Sequence, residues 1–352
     1  MQWFAAFSRL ALPERLSRCG VFGQDCPATG KAQNQMTDHS EIAQAVAAGR
    51  YIMICGPTAA GKSAAALAFA EQSGGTVINA DSMQVYTDLR VVTARPGIDD
   101  EARAPHRLYG IVDGSERASV ASWLDLAAEA VVEARNAGSL PIIVGGTGMY
   151  LQAARDGIAP IPEVPAEIHQ ACLEELAARG GAAFREELSK LDEEAASRLF
   201  AGDSQRLVRA MGVVRATGRP ITAWQSDPHQ GALEGEAVAI SVMPPRADTY
   251  ARIDQRFAQM MEEGAVEEVE ALVERGLDPS LPVMKAIGVR EILAMQAGEI
   301  SRGRAIKLAS RDSRHYAKRQ MTWIRNNYRA QISINEKFST RYINEIFSIL
   351  LK

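Results

Sequence analysis

Apolar residues along this chain fall into short unbroken runs separated by stretches of helical spacing. The run YIMIC at 51–55 has five apolar positions in succession, as a strand buried on both faces requires. The Ala-rich stretch 62–72 reads as a helix, and the β-branched run at 76–79 predicts a second strand that ends at Asp81. In 121–135, Trp123, Leu124, Leu126, Ala127, Ala130 and Val131 recur at helical spacing. LPIIV at 140–144 predicts a third buried strand, broken by Gly145 and Gly146, with a helix from Thr147. Such alternation predicts an α/β fold with a mostly parallel sheet covered by helices.

The texture changes after Ile158. APIPEVP at 159–165 is a Pro-rich joint, and 166–224 reads as several short helices with no strand. AVAISVM at 237–243 then looks like another core strand. The simplest account is an all-helical insertion at 166–235 within one core made of 47–165 and 236–329. Helices are expected at 249–263 and 264–275, with a further helical region to about Tyr328. Residues 1–46 form a poorly patterned extension, and the weakly patterned tail 330–352 is assigned no element.

The 352 residues suffice for a sizeable core. No apolar run approaches the length that spans a bilayer. Cys19, Cys26, Cys55 and Cys172 have neither zinc nor redox spacing, so a reducing, cytoplasmic setting is expected. The first residues do not read as a secretory signal, and Glu14 weakens a transit-peptide reading. Gly20–Gln35 has the composition of a disordered segment, and Met36 is the expected true start. The net charge of −4 argues against wholesale coating of nucleic acid but leaves room for a local basic face.

GPTAAGKS, Gly56-Pro57-Thr58-Ala59-Ala60-Gly61-Lys62-Ser63, fits the phosphate-binding loop G-x-x-x-x-G-K-[ST] between a strand and a helix. Its backbone N–H groups and the following helix N-terminus suit a pyrophosphate, with Lys62 on the terminal phosphate and Ser63 on Mg²⁺. The fold is therefore P-loop-type. The motif does not identify the rest of the ligand, and ATP is the default. Asp81, in INADSMQVY, sits at a strand end. It can hold Mg²⁺ through water or act as general base, and the competing role for Asp81 or Ser82 is an N-cap. VGGTGMY offers Thr147 at a helix start, where an N-cap is again the plainer role. Arg252 and Arg256 share a helix face and could clamp a phosphate, although a solvated face is the commoner outcome.

Arg302, Arg304, Lys307, Arg311, Arg314, Lys318, Arg319, Arg325 and Arg329 form a basic stretch interleaved with His315, Tyr316, Trp323 and Tyr328. Cations with stacking aromatics suit looped RNA, and a solvated helix surface is the alternative. Arg206, Arg209 and Arg215 make a weaker cluster in the insertion.

Together these segments closely resemble the tRNA dimethylallyltransferases, the bacterial tRNA isopentenyltransferases. The matching pieces are GPTAAGKS, INADSMQVY, VVTARP, APHRLYGIVD, VGGTGMY, DSQRLVRAM, YARIDQRFAQMMEEG, MKAIGVRE and YAKRQMTWIR, in the family's order over roughly 50–328. The resemblance implies that the loop holds dimethylallyl diphosphate, and that the five-carbon group passes to N6 of the adenosine 3′ of the anticodon, position 37. It implies Asp81 as catalytic base and Thr147 near the reacting centre. Lys62, Mg²⁺ near Ser63 and an arginine, Arg256 before Arg252, would neutralise the leaving diphosphate. Asp81, Ser82, Met83 and Gln84, and Gln205, Arg206, Leu207, Val208 and Arg209, match segments that contact tRNA, with Thr147, Arg314, Lys318 and Arg319 added. The partners expected are the anticodon stem-loop of tRNA and the diphosphate, with no membrane, and the chain is expected to be a monomer.

Three positions depart from the family pattern. Arg95 stands where the family often has Lys, and Ser313 where it has Thr. His169, the tRNA contact expected near the start of the insertion, replaces an arginine, and a neutral imidazole cannot supply the same phosphate clamp. Two other classes remain open on the residues alone. A small-molecule kinase would use Asp81 to activate a hydroxyl toward ATP, and a non-catalytic RNA-binding protein would use the loop as a nucleotide sensor.

Overall fold

A computed structural model describes residues 39–351 apart from 337 and 340. The expected start at Met36 and the residues before it lie outside the described residues. The order of elements is α1 (His39–Ala47), β1 (Tyr51–Cys55), α2 (Lys62–Ser73), β2 (Thr76–Asn79), α3 (Ile98–Arg103), β3 (His106–Arg107), α4 (Val120–Asn136), β4 (Pro141–Gly145) and α5 (Gly148–Asp156). Next come α6 (Ala166–Ser189), α7 (Glu193–Arg198), α8 (Ser204–Thr217) and α9 (Ile221–Gln225). The chain continues with β5 (Ala237–Val242), α10 (Arg246–Glu262), α11 (Ala265–Glu274), α12 (Val289–Gln296), α13 (Arg302–Asn327), β6 (Ile332–Ile334) and α14 (Arg341–Leu350).

The six strands form one sheet, all parallel, in the order β3-β2-β4-β1-β5-β6. Parallel strands need both faces covered, which explains why the strand sequences are apolar throughout rather than alternating. In β1 the period of two sends Met53 and Cys55 into a core shared with α4, α5 and α10–α13. Ile52 and Ile54 go into a second core with α1, α2 and α14. β1 lies between β4 and β5, with Ile52 opposite Ile142 and Val238. All strands point their carboxyl ends the same way, and the crevice for a ligand lies at those ends.

The insertion holds the helices α6–α9 and no strand, and beyond Gln225 it returns to the core through an isolated bridge between Gln230 and Ile158. It has its own apolar cluster, in which Cys172, Phe184, Leu188, Leu207, Val208 and Met211 are buried. Its first helix is longer than expected. α6 runs 24 residues and bends at Gly180, whose φ of 75° interrupts the helical backbone.

Two boundaries move. The extension assigned to 1–46 gives up its last part: α1 buries Ile42, Ala45 and Val46 in the second core. Part of the tail assigned to 330–352 is structural as well. β6 pairs with β5, Ile240 opposite Ile332, and α14 buries Ile343, Ile346, Phe347 and Leu350. A strand of three residues is too short to display a period, and the same brevity hides β3. No helix among the described residues is long and apolar enough to cross a membrane.

Phe347 packs edge-on to Phe69 of α2, with ring centroids 6.0 Å apart. Phe347→Ala should lower stability by about 3 kcal/mol in urea unfolding. A variant as stable as the parent would mean that α14 does not belong to the core.

Candidate active site at the strand ends

Three loops meet at the carboxyl ends of β1, β2 and β4. The first is the glycine-rich loop, where Gly61 at φ 97° turns the chain into α2 and Ala59 also adopts a left-handed backbone. Lys62 is half-buried as a residue, with its ammonium beneath the loop and donating to the Pro57 carbonyl at 2.8 Å. Loss of hydration pushes its pKa down to about 8, against the pull of Asp81 in the other direction.

The second loop carries Asp81. Asn79, fully buried at the end of β2, accepts the Asp81 N–H through Oδ1 at 2.8 Å and donates to the Asp81 and Leu108 carbonyls at 3.1 and 3.0 Å. Asp81 Oδ1 in turn accepts the Met83 N–H at 3.0 Å, an Asx-type turn. No helix follows this turn, so the N-cap role for Asp81 or Ser82 falls away. Asp81 Oδ2 takes no hydrogen bond among the described residues.

The third loop ends at Thr147. It occupies the N-cap position of α5, yet its hydroxyl makes no cap bond. It accepts the Ser82 N–H at 3.0 Å and donates to Ser82 Oγ at 3.3 Å, so it pins the turn that bears Asp81.

α10 crosses above these loops. Arg256 Nη2 donates to Thr58 Oγ1 at 2.6 Å, and Arg252 Nη1 reaches the Ala59 carbonyl at 3.4 Å. Burial lowers the pKa of Arg256, and Asp81 counters it. The shared face of this pair is therefore turned to the loop rather than to solvent.

Two cavities adjoin here. One of about 630 Å³ is charged and is lined by Lys62, Ser63, Asp81, Tyr109, Arg252 and Arg256. The other, of about 300 Å³, is lined by Met83, Ile253, Phe257, Met260, Ile287 and Tyr316, with Lys285 and Arg319 beside them. Thr58, Asp81, Thr93 and Arg256 line both. Asp81 thus stands where an anion-binding chamber meets a second one that combines an apolar wall with charged groups.

The described residues contain no cluster of three or more His, Cys, Asp or Glu that would cage a metal. Ser63 and Asp81 share the charged cavity, which fits Mg²⁺ held largely by phosphate oxygens and one or two protein oxygens.

Sequence reasoning missed residues that shape the site, among them Asn79, Tyr109 and Glu268. Glu268, on α11, accepts the N–H groups of Arg90, Val91 and Val92, the last two at 2.9 and 2.8 Å. The loop so held presents the Thr93 and Ala94 carbonyls to Gln84 Nε2 at 2.9 and 3.0 Å. In sequence, Glu268 is one acid among several on an amphipathic helix. Asn79, a polar residue closing a buried strand, was the one visible signal.

The expected RNA contacts divide. Gln205, Arg206 and Arg209 are exposed on α8, His169 on α6, and Lys318 and Arg319 on α13. Leu207 and Val208 are buried in the insertion core, so their side chains cannot meet RNA. Arg215 turns to Glu175 at 2.7 Å and leaves the insertion cluster. Arg314 is paired with Asp254. Of the interleaved aromatics, Tyr328 is buried and donates to the Met53 carbonyl at 2.6 Å, which removes it from any stacking role. Trp323 is half-buried against α5 at Gly148, where a Cβ would lie 2.4 Å from its ring. Tyr316 faces the second cavity, with the Arg319 guanidinium 5.5 Å from its ring centre.

A profile of the family described as IPP transferase matches residues 84–327. A tRNA dimethylallyltransferase of Rhodopseudomonas palustris is 50% identical over 277 residues, 78% of this chain and 84% of that protein. One from Rhodospirillum rubrum is 49% identical over 291 residues, 82% and 89% of the two chains. The chain belongs to the IPP transferase family. The crystal structure of a full-length tRNA isopentenylpyrophosphate transferase from Bacillus halodurans matches with a TM-score of 0.60 at 31% identity, covering 86% of this chain and 95% of that one. A eukaryotic dimethylallyltransferase matches with a TM-score of 0.73 at 24% identity over 85% and 80% of the two chains, which bears on the fold alone. Arg252, Arg256 and the α13 residues lie inside the segment matched to the family, and the glycine-rich loop and Asp81 lie just ahead of it. These relatives lend the kinase reading no support.

The lowered pKa of Lys62 gives a signed expectation. Below about 8 the ammonium is charged and attracts an anion; above it the charge is lost. The affinity advantage of the unaltered protein over Lys62→Met for inorganic diphosphate should therefore shrink as pH rises through about 8. Calorimetric titration across that range checks it, and a constant advantage would contradict it.

Proposed function

We propose that this chain transfers the dimethylallyl group of dimethylallyl diphosphate to N6 of the adenosine 3′ of the anticodon in tRNA. The observation that carries the reading is the place of Asp81, between a charged chamber that suits a diphosphate and a second chamber whose apolar wall suits a five-carbon chain and whose polar groups suit a flipped base. All groups assigned to the reaction come from one chain, which fits a monomer, and the substrate fits a cytoplasmic setting.

The chemistry follows from these positions. The N6 amine attacks C1 of the donor as the C1–O bond breaks, and one N6 proton passes to Asp81 Oδ2. The electron pair of the broken bond leaves with diphosphate. Lys62 and Arg256, together with the loop N–H groups, meet the charge that grows on the departing oxygen. Mg²⁺, held by Ser63 and through water by Asp81, would supply further neutralisation of the diphosphate. Thr147 and Asn79 hold the Asp81 turn still, so the base needs little reorganisation. Gln205, Arg206, Arg209, His169, Lys318 and Arg319 offer exposed contacts to the RNA.

The test is direct. The protein, Mg²⁺, dimethylallyl diphosphate and an unmodified anticodon stem-loop should yield N6-dimethylallyladenosine on digestion and mass spectrometry. Asp81→Asn should slow transfer by on the order of a thousandfold with RNA affinity largely intact. Absence of the product with the unaltered protein would overturn the proposed function, and near-normal transfer by Asp81→Asn would remove its role as base.

A further inference from the structure

One residue of the basic stretch points inward. Gln320 of α13 is 6% exposed. Its Oε1 accepts the Thr58 N–H at 2.8 Å, and its Nε2 donates to the Gly146 carbonyl at 2.9 Å. The partners are 262 and 174 residues away in sequence. One amide therefore ties the glycine-rich loop to the turn that leads into Thr147.

Both ends of this tie matter. The N–H groups of a phosphate-binding loop ordinarily aim at the anion, but that of Thr58 is turned to α13. The Thr58 hydroxyl is taken by Arg256 at 2.6 Å, so Thr58 links the arginine of α10 to the helix that carries Lys318 and Arg319. On the other side, Thr147 follows Gly146 directly and pins Ser82, the residue after Asp81. The amide offers a donor nitrogen and an acceptor oxygen at the reach required. A carboxylate offers two acceptors and would face the Gly146 carbonyl with no proton between them. Asparagine is one methylene too short.

We infer that Gln320 is a positioning residue for the transfer, fixing the diphosphate loop relative to the turn that carries Asp81. The inference rests on the proposed transfer reaction for its kinetic consequence, but its physical content is independent of it. Burial takes Gln320 out of contact with RNA, although its neighbours Lys318 and Arg319 are exposed.

The test uses full-length protein with Gln320→Ala and Gln320→Glu, each checked by thermal melting. In Gln320→Ala the Thr58 amide loses its partner. Hydrogen exchange in a peptide covering 56–63 should quicken and inorganic diphosphate should bind more weakly, each by about tenfold. The turnover rate should fall while KM for the stem-loop stays put. Gln320→Glu should be slow near pH 8 and recover relative to the unaltered protein toward about pH 6, as the buried carboxyl takes a proton and can donate to Gly146. A merely structural loss would not return with pH.

Unchanged exchange and diphosphate affinity in Gln320→Ala would overturn the inference. So would a Gln320→Glu deficit independent of pH, or a loss confined to KM for RNA, which would mean direct contact with it. If Gln320→Ala does not fold, exchange and the pH profile of Gln320→Glu decide. If the unaltered protein transfers no prenyl group, the proposed function fails, and loop exchange with diphosphate binding still decides the tie.

Discussion

The turn after β2 has one stable form because Asn79 is fully buried and finds its polar partners there. Its side chain bonds to both backbone ends of Asp81 and to the Leu108 carbonyl, and its own carbonyl accepts Trp123 Nε1 at 2.8 Å. An unpaired amide at that depth would cost on the order of 1–3 kcal/mol, so the bonds and the turn stand or fall together. Trp123 stacks on Tyr150 with centroids 4.3 Å apart, which joins the turn to α4 and α5. The position of Asp81 is thus set by the core beneath it rather than by a flexible loop.

The same logic governs the charges. Lys62 and Arg256 are held with little hydration around a carboxylate, an arrangement whose cations outnumber its anion. A bound diphosphate would correct that balance, and poor hydration makes each contact stronger than it would be in water. The two helices that cross above, α10 and α13, bring the compensating groups from distant parts of the chain. This explains why a matched segment beginning at residue 84 can belong to a site whose phosphate loop precedes it.

Much of this was legible in the sequence. Strands buried on both faces announce themselves as unbroken apolar runs, and GPTAAGKS carries its own geometry in its glycines and its flanking strand and helix. The helical insertion was readable from the loss of strand pattern after a Pro-rich joint. What escaped detection was short or long-range. β3 and β6 are too brief to show a period, and the apolar face of α14 gains meaning only from Phe69, far away in sequence. Glu268 and Gln320 look like surface residues until three backbone N–H groups and two loops are seen to converge on them. The converse error was to count Leu207, Val208 and Tyr328 among surface contacts, because a motif lists neighbours in sequence and says nothing of which face they take.

The central claim is that the glycine-rich loop holds a prenyl diphosphate and that Asp81 meets the base beside it. A crystal structure with an unreactive analogue of dimethylallyl diphosphate and an anticodon stem-loop tests this most directly. The account predicts the diphosphate on Lys62 and the loop N–H groups, the prenyl carbons toward the apolar wall of the second cavity, and adenine N6 within hydrogen-bonding reach of Asp81. A diphosphate seated elsewhere, or an adenine whose N6 lies away from Asp81, would contradict it.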